Sequence, residues 1–315
     1  MQIAILGLDA QGRAIAEKLM TEGHQVVVWN AAKEVLEQYR VEKAEFVVNG
    51  TLQISHSIES LQQDLRKPRI FMTVLAAGAE TETGLQDLLN IAEAGDVVID
   101  GGTSYFKDTK RRSPLFEQKG IRFIDIGIAG GVLGFSNGFS LMAGGNQEGY
   151  EYIAPILDTL AKPNGEHGYF GASGAGHYLK MVHDSVEAVV LQALAEGFGL
   201  LTKSDYHFNL SSVASLWQGG SMVAGYLLDL VTEVLTKDTT VLQSEGSIPV
   251  NEAGKWAVQE GHDMRVPIEL VERVMDFSSR SQYDRLVQET VAARLVAAVE
   301  KLCTGKQEKQ TENQQ

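Results

Sequence analysis

The chain has 315 residues, 44% hydrophobic and 22% charged, a composition typical of a globular protein with a substantial core. Its 27 Lys and Arg against 41 Asp and Glu give a net charge of −14, which argues against nucleic acid or an anionic membrane as a partner but permits a small metabolite.

The single cysteine, Cys303, excludes a disulfide framework. The seven His show no metal-ligand spacing, so no metal site is predicted. No apolar run reaches about 18 residues, so we expect no membrane span. The single cysteine favours a reducing cytoplasm, and the start MQIAILG lacks the basic start and cleavage site of a signal peptide, so we expect a cytoplasmic protein.

The first thirty residues predict a strand, a turn, a helix and a second strand. An apolar run covers residues 2–6, a helical pattern covers 12–22, and a second apolar run covers 26–29. Continuous apolar runs are typical of strands buried on both faces of a parallel sheet. The unit therefore has the size and order of half of a dinucleotide-binding domain.

The turn in this unit resembles the fingerprint G-x-G-x-x-G. Gly7 and Gly12 occupy its outer positions, whereas Asp9 replaces the middle glycine that lets a pyrophosphate approach the backbone. At about 4 Å a like charge repels by roughly 4 kcal/mol at an effective dielectric near 20, so Asp9 weakens the prediction of cofactor binding. Alternatively, Asp9 is a solvent-facing helix cap. The residues of the turn assigned to the cofactor are Gly7, Leu8, Asp9, Gln11 and Gly12.

Asn30 ends the second strand, where an acid would hold the ribose of NAD and a nearby Arg would favour NADP. An amide can bond a hydroxyl without repelling a phosphate, and the next two residues supply no cation. Asn30 is therefore assigned to the cofactor, which is NADP or NAD.

Further alternating patterns extend this domain to about residue 164. The predicted strands are 69–75, 96–100 and 122–126, with helices such as 80–93 and 107–119. Small-residue loops follow these strands at 76–78, 101–104 and 127–131. Such loops line the ligand crevice of an open, doubly wound α/β sheet. On that basis the cofactor also contacts Leu75, Ala76, Ala77 and Thr103.

The second half contains helical patterns and no strand patterns. The predicted helical segments are 175–202, 210–217, 223–236, 254–259 and 268–303. We therefore predict a Rossmann-like domain over 1–172, an all-helical substrate and dimerisation domain over 173–303, and a disordered polar tail over 304–315.

One helical stretch, residues 173–187, carries a stripe of titratable side chains. Lys180, His183, Asp184 and Glu187 follow one another at helical spacing, so a helix places them on one face. A cation, an imidazole and two carboxylates together indicate acid–base chemistry. The alternative is a solvated charged face.

Eight segments of the chain carry family-like motifs: GLDAQG at 7–12, AAG at 76–78, IDGGTSYFKDT at 99–109, GIAGGVLG at 127–134, LMAGG at 141–145, SGAGHYLKMVH at 173–183, AEGF at 195–198 and GKW at 254–256. Together they resemble the 6-phosphogluconate dehydrogenase family of the short bacterial type, within the β-hydroxyacid dehydrogenases. The resemblance implies oxidation of the 3-hydroxyl of 6-phosphogluconate with a nicotinamide cofactor, then loss of CO2. It makes Lys180 the base and Glu187 the acid. It also implies no metal and a homodimer through the helical domain. The substrate contacts it implies are Thr103, Gly130, Gly131, His183 and Asp184.

Departures from the family pattern include nearly every side chain that would bind the substrate phosphate. Asp184 replaces an Asn, and an ionised carboxylate only accepts hydrogen bonds and would repel a substrate carboxylate. Thr103, Ala129 and Ala253 also differ from the family pattern. The phosphate contacts that the resemblance implies fall on Ala188, Asn251 and Ser278, none of which carries a positive charge. Compensation by Lys255, Arg273 or Arg280 is one alternative. The others are a non-catalytic homologue and a dehydrogenase for a non-phosphorylated 3-hydroxy acid.

Overall fold

A computed structural model describes residues 1–237 and 240–305. The chain divides into two compact units, Met1–Lys180 and Met181–Gln315. The predicted disordered tail falls, from residue 306 onward, outside the described residues. Thr304 and Gly305, its first two residues, instead end the last helix, where Gly305 adopts the left-handed conformation of a helix cap.

The first unit is built on one sheet with the strand order β3-β2-β1-β4-β5-β6-β7-β8. Its strands are β1 (Gln2–Leu6), β2 (Gln25–Trp29), β3 (Leu52–Ile54), β4 (Ile70–Thr73), β5 (Val97–Asp100), β6 (Arg122–Ala129), β7 (Ser140–Gly145) and β8 (His167–Tyr169). β7 runs antiparallel to β6, and the other neighbouring pairs are parallel. The chain reverses its direction of progress between β1 and β4, which is the crevice where such sheets bind ligands.

Helices cover both faces of this sheet. They are α1 (Ala10–Thr21), α2 (Lys33–Glu42), α3 (Ala44–Val48), α4 (Leu61–Asp64), α5 (Ala79–Ile91), α6 (Phe106–Glu117), α7 (Gly134–Asn137) and α8 (Gln147–Ala161). Alternate residues of β1 belong to different cores: Ile3 and Ile5 pack with α1 and α8, whereas Leu6 packs with α5 and α6. Burial on both faces explains the continuous apolar runs, and the predicted doubly wound fold is confirmed.

Among the described residues of the second unit, the regular elements are all helices. Helix α9 (Ala175–Lys203) begins in the first unit and continues into the second. The others are α10 (Leu210–Gln218), α11 (Tyr226–Lys237), α12 (Glu252–Met264), α13 (Glu269–Arg280), α14 (Arg285–Gln288) and α15 (Val291–Thr304). The prediction of one helical segment over 268–303 was wrong, because Asp284 and Thr290 act as N-caps and start α14 and α15 afresh.

Helix α9 alone, among the described helices, is long and apolar enough to cross a membrane by length and composition. One such helix is weak evidence, because core helices of soluble proteins have the same composition. Its polar stripe, with Lys180, Asp184 and Glu187, favours a helix packed within a protein.

Candidate active site

The turn after β1 is shaped by two glycines at the carboxyl edge of the sheet. Gly7 has φ +108°, and a Cβ there would lie 2.1 Å from the carbonyl oxygen of Val74. A Cβ on Gly12 would lie 2.2 Å from the carbonyl oxygen of Gly7. Neither position accepts a side chain, so the turn packs tightly between the loop after β4 and the start of α1. These are the two roles expected of the outer glycines.

Asp9 is the N-cap of α1. It is exposed, and its Oδ1 accepts a hydrogen bond of 2.8 Å from the backbone N–H of Gly12. The cap interpretation is therefore confirmed. The cap also places a carboxylate on an N–H at the helix end that attracts phosphate in this class of fold. A dinucleotide pyrophosphate would have to displace this carboxylate or lie beside it.

Asn30 fixes the turn from the second strand. Its Oδ1 accepts a hydrogen bond of 3.0 Å from the N–H of Leu8, and its Nδ2 donates to the carbonyl oxygen of Ala32 at 3.4 Å. The side chain of Leu8 is buried in the core, so Leu8 presents only backbone to a ligand. Gln11, on the first turn of α1, is half-buried.

The loops after β4 and β5 lie against each other. A Cβ on Gly102 would lie 2.7 Å from the carbonyl oxygen of Leu75. Leu75 is buried, whereas Ala76, Ala77 and Thr103 are exposed. The structure thus brings together the two loops that the sequence assigned to the cofactor.

Buried Asp100 organises the second of these loops. Its carboxylate accepts hydrogen bonds from the Ser104 hydroxyl at 2.9 Å and the Gly102 N–H at 3.3 Å. Arg112 Nη1 lies 3.5 Å from the same carboxylate. Because Ser104 and Gly102 flank Thr103, this network holds Thr103 at the tip of the loop.

The strand β6 extends further than predicted. Residues 127–129, expected in a loop, are its last three residues and pair with β7. The loop itself starts at Gly130, which has φ +126°, and Gly131 follows with φ +52°. Ala129 is therefore a buried strand residue, and the exposed backbone of Gly130 stands directly beyond the strand.

Lys180 lies against β6 on the second turn of α9. A Cβ on Gly127 would come within 2.4 Å of Lys180 Cβ and 2.9 Å of the Gly176 carbonyl oxygen. The glycine therefore provides the space in which the stem of Lys180 packs. Two features that the sequence singled out separately, the glycine-rich segment 127–131 and the stripe of Lys180, meet here at a residue of β6.

Three other members of the stripe form a cluster further along α9. His183 Nδ1 lies 3.1 Å from Asp184 Oδ1 and 3.6 Å from Glu187 Oε2. Ligand atoms of the three side chains lie within 4.8 Å of one another, so by residue type they could ligate a divalent cation. The acid–base interpretation of the stripe and the absence of a metal both stay predictions.

The thiol of Cys303, the single cysteine of the sequence, has the properties of an unreactive thiol. Burial, followed by the nearby carboxylates of Glu300, Glu187 and Glu233, raises the pKa of Cys303 to about 12. The thiol is therefore protonated near neutral pH, and it is not an activated nucleophile.

In the second unit, the residues expected to bind or compensate for a phosphate contact make helix-cap and ion-pair contacts within the protein. Asn251 is the N-cap of α12 and accepts a hydrogen bond of 2.8 Å from the Gly254 N–H. Lys255 Nζ pairs with Glu252 at 2.9 Å, and Arg280 Nε lies 3.0 Å from the Asp276 carboxylate. Ser278 is buried. Two of the three cations that could compensate are therefore already paired.

Comparison with known proteins supplies the family. Residues 2–172 match the NAD binding domain of 6-phosphogluconate dehydrogenase, and residues 176–315 match the C-terminal domain of the same enzyme. The chain belongs to the 6-phosphogluconate dehydrogenase family. The recognition made from sequence motifs is confirmed, and the chain is an NAD(P)-dependent oxidoreductase of the decarboxylating kind found in this family.

Relatives of two lengths occur in this family. The NAD(+)-dependent, decarboxylating 6-phosphogluconate dehydrogenase of Haloferax volcanii is 32% identical over 94% of this chain and 95% of its own. The NADP(+)-dependent enzyme of Bacillus subtilis is 33% identical over 86% of this chain but only 59% of its own. Both cofactors therefore occur among the relatives.

Solved structures agree with the fold. The 6-phosphogluconate dehydrogenase of Plasmodium falciparum, described with NADP+ and with 6-phosphogluconate, gives a TM-score of 0.80 at 25% identity, covering 91% of this chain and 63% of that one. A 3-hydroxyisobutyrate dehydrogenase of Mycobacterium tuberculosis gives 0.69 at 21% identity, covering 96% of this chain and 98% of that one, and shows the fold alone.

Sequence reasoning missed one functional candidate in the first unit. Asp125 is a fully buried acid in β6, and its carboxylate binds backbone N–H groups at the start of α9. The signal was present in the segment RFIDIGIA, where an Asp interrupts an apolar strand two residues before the glycine that contacts Lys180.

Proposed function

We propose that this member of the 6-phosphogluconate dehydrogenase family oxidises a 3-hydroxy sugar acid with NAD or NADP and then decarboxylates it. The observation that carries the proposal is the packing of Lys180 against Gly127, beside the glycine loop at the carboxyl edge of a dinucleotide-type sheet. A titratable amine at that edge is suited to acid–base chemistry on a bound hydroxy acid.

We assign the proton transfers of the reaction to two residues of α9, Lys180 and Glu187. Lys180 would take the proton of the 3-hydroxyl, and a nicotinamide cofactor held at the turn of Gly7 and Gly12 would supply the acceptor for the hydride from C3. The C1–C2 bond of the resulting β-keto acid then breaks, CO2 leaves, and the ammonium of Lys180 returns its proton to the carbonyl oxygen to form an enediol. Glu187 protonates the carbon that lost CO2, which gives the ketose.

The cofactor site fits a dinucleotide by shape, with one exception. Gly7 and Gly12 allow the close packing that the turn needs, and Asn30 holds the N–H of Leu8. The exception is Asp9, whose carboxylate accepts from Gly12 and would lie near the phosphates. Because the retained geometry supports binding, we expect a weakened rather than an absent site.

The substrate is expected to lack a strongly held phosphate. A phosphate usually needs one or two cations or a nest of N–H groups. Here Asn251 caps its own helix, while Lys255 and Arg280 pair with neighbouring acids. Calorimetry should therefore give dissociation constants for 6-phosphogluconate and gluconate that agree within about threefold, or about 0.7 kcal/mol. A micromolar constant for 6-phosphogluconate alone would overturn this interpretation.

The activity itself is tested by NADH or NADPH formation. Purified protein is given 6-phosphogluconate, gluconate or short 3-hydroxy acids across about pH 6–10, because the base must be neutral to act. We expect turnover with at least one of these acids. No reduced cofactor with any of them would reject the proposal.

A non-catalytic homologue is the competing candidate. The observation in its favour is that Asp9 and Asp184 place negative charge where the cofactor and the substrate carboxylate are expected. Titration of NADH fluorescence distinguishes the two, because a scaffold without cofactor has no reason to bind NADH. A dissociation constant below about 100 μM would exclude the non-catalytic alternative.

We also propose that two copies associate through the helical unit, and that the dimer works in the cytoplasm. Val182, Val186 and Val190 form an exposed apolar stripe on α9, suited to self-pairing about a two-fold axis. Val186→Glu should shift the protein from dimer to monomer in sedimentation velocity. Val48→Glu, at a still more exposed valine of α3, should leave the dimer intact. A monomeric wild-type chain would contradict the proposal.

A further inference from the structure

The start of α9 is held by a buried carboxylate from the sheet. Asp125 is fully buried in the middle of β6. Its Oδ1 accepts a hydrogen bond of 2.8 Å from the N–H of Gly174, and its Oδ2 accepts one of 3.0 Å from the N–H of His177. Gly174 directly precedes the helix and His177 lies in its first turn, where the N–H groups have no intrahelical partner. Asp125 thus acts as an N-cap supplied by another element.

These hydrogen bonds satisfy both the buried carboxylate of Asp125 and the N–H groups at the start of α9. A buried carboxylate is costly unless it is paired or fully hydrogen-bonded. The amino end of a 29-residue helix offers N–H donors and the positive end of the helix dipole. The charge of Asp125 and the orphan donors of α9 therefore stabilise each other at one defined helix position.

Close backbone packing fixes the same turn against the sheet. A Cβ on Gly176 would lie 2.3 Å from the carbonyl oxygen of Met142, in β7, and 2.6 Å from that of Asp125. A Cβ on Gly144 would lie 2.8 Å from the N–H nitrogen of Gly176. Helix α9 therefore rests directly on the backbone of β6 and β7 at its first turn.

Helix α6 supplies a second set of anchors. His177 Nδ1 and the hydroxyl of Thr109 are hydrogen-bonded at 2.7 Å, with both side chains buried. The hydroxyl of Ser173 donates to that of Ser113 at 2.7 Å. Since α6 follows the loop that carries Thr103, the same helix connects the cofactor loop with the start of α9.

Asp125 and Gly127 project from the same face of β6, because side-chain directions in a strand repeat every two residues. The first contacts Gly174 and His177, and the second provides the space for the stem of Lys180. One strand therefore sets both where α9 begins and where Lys180 lies. From this geometry we propose that Asp125 is a positioning residue, which fixes Lys180 for proton transfer by capping α9.

The inference rests on the proposed function, since it assigns Asp125 a role in the reaction of Lys180. Asp125→Asn keeps the shape of the side chain but removes the charge, and its amide nitrogen cannot accept from an N–H group. A displacement of about 1 Å at the base can cost on the order of 100-fold in rate. We expect kcat to fall about 10- to 100-fold, with KM and the NADH dissociation constant changed less than about threefold.

The matched control is Asp96→Asn. Asp96 is also buried and also accepts from backbone N–H groups, those of Arg69 and Glu93, but it directly precedes β5 and so lies at the amino end of that strand, away from the carboxyl ends. This variant should lose stability while its kcat stays within about twofold of wild type. Equal losses of kcat in both variants would show that Asp125 is merely structural and would overturn the proposal.

Two further measurements keep the test decisive. Hydrogen exchange at the amides of Gly174 and His177 should accelerate in Asp125→Asn but not in Asp96→Asn.

Gly127→Ala, which leaves Asp125 in place, should reproduce the selective fall in kcat, and an unchanged kcat there would contradict the proposal. If the wild-type chain forms no reduced cofactor, the proposed function fails. Amide exchange then still decides whether Asp125 holds the start of α9, and unchanged exchange would refute it.

Discussion

Replacement of Lys180 by Met is expected to lower kcat by a factor of about 10² to 10⁴, the usual contribution of a positioned general base. Methionine preserves most of the apolar stem that packs on Gly127, so the helix and the cofactor loop should keep their structure. The NADH dissociation constant should therefore stay within about twofold of wild type. Stopped-flow measurement of reduced-cofactor formation with the best substrate provides the rate.

Lys203→Met is the matched control, because Lys203 is the exposed last residue of the same helix. It loses the same charge without approaching β6, and its kcat should be unchanged. Retention of more than about a tenth of wild-type kcat by Lys180→Met would remove the lysine from the role of base.

Replacement of Asp9 by Gly is expected to tighten NADH binding by about tenfold or more, equivalent to at least about 1.4 kcal/mol. The substitution removes a carboxylate near the phosphates and frees the N–H of Gly12 for the ligand. The helix loses its cap, but glycine at an N-cap costs only about a few tenths of a kcal/mol. Fluorescence titration with NADH measures the change.

Asp9→Asn separates charge from hydrogen bonding, because asparagine also caps helices well. If repulsion dominates, Asn should give most of the gain seen with Gly. If the occupied N–H dominates, Asn should resemble wild type and Gly alone should tighten binding. Unchanged affinity in both variants would mean that Asp9 does not oppose the cofactor.

The fold was predictable wherever burial left a continuous apolar run. β1, β2, β4 and β5 are such runs, and each lies between two cores. β3 and β8 have three residues each, and β7 contains two glycines, so their sequences carry no comparable pattern. Tertiary pairing with neighbouring strands defines them. The antiparallel direction of β7 likewise comes from pairing that the sequence does not encode locally.

The site was predictable where backbone geometry limits residue choice. Gly7 and Gly12 were recognised because no other residue fits their close contacts. The contacts that place Lys180 were not predictable, since Gly127 and Asp125 lie more than fifty residues away in sequence. Gly127 meets Lys180, and Asp125 meets the start of α9, only through the packing of α9 on β6. For Asp9, sequence reasoning supplied both interpretations, and the distance to the Gly12 N–H established the cap.

The stripe on α9 shows how one substitution changes the chemistry of a helix face. The family asparagine would offer a donor beside His183, whereas Asp184 adds a second acid within reach of that imidazole. His183 is therefore flanked by two carboxylates, those of Asp184 and Glu187.

The most direct measurement follows CO2 and reduced cofactor together, from 6-phosphogluconate and gluconate labelled with 13C at C1. The proposed reaction gives one labelled CO2 for each reduced nicotinamide in the wild-type chain, and loses both signals together in Lys180→Met. Reduced cofactor without labelled CO2, or neither product from either acid, would contradict a decarboxylating dehydrogenase built around Lys180.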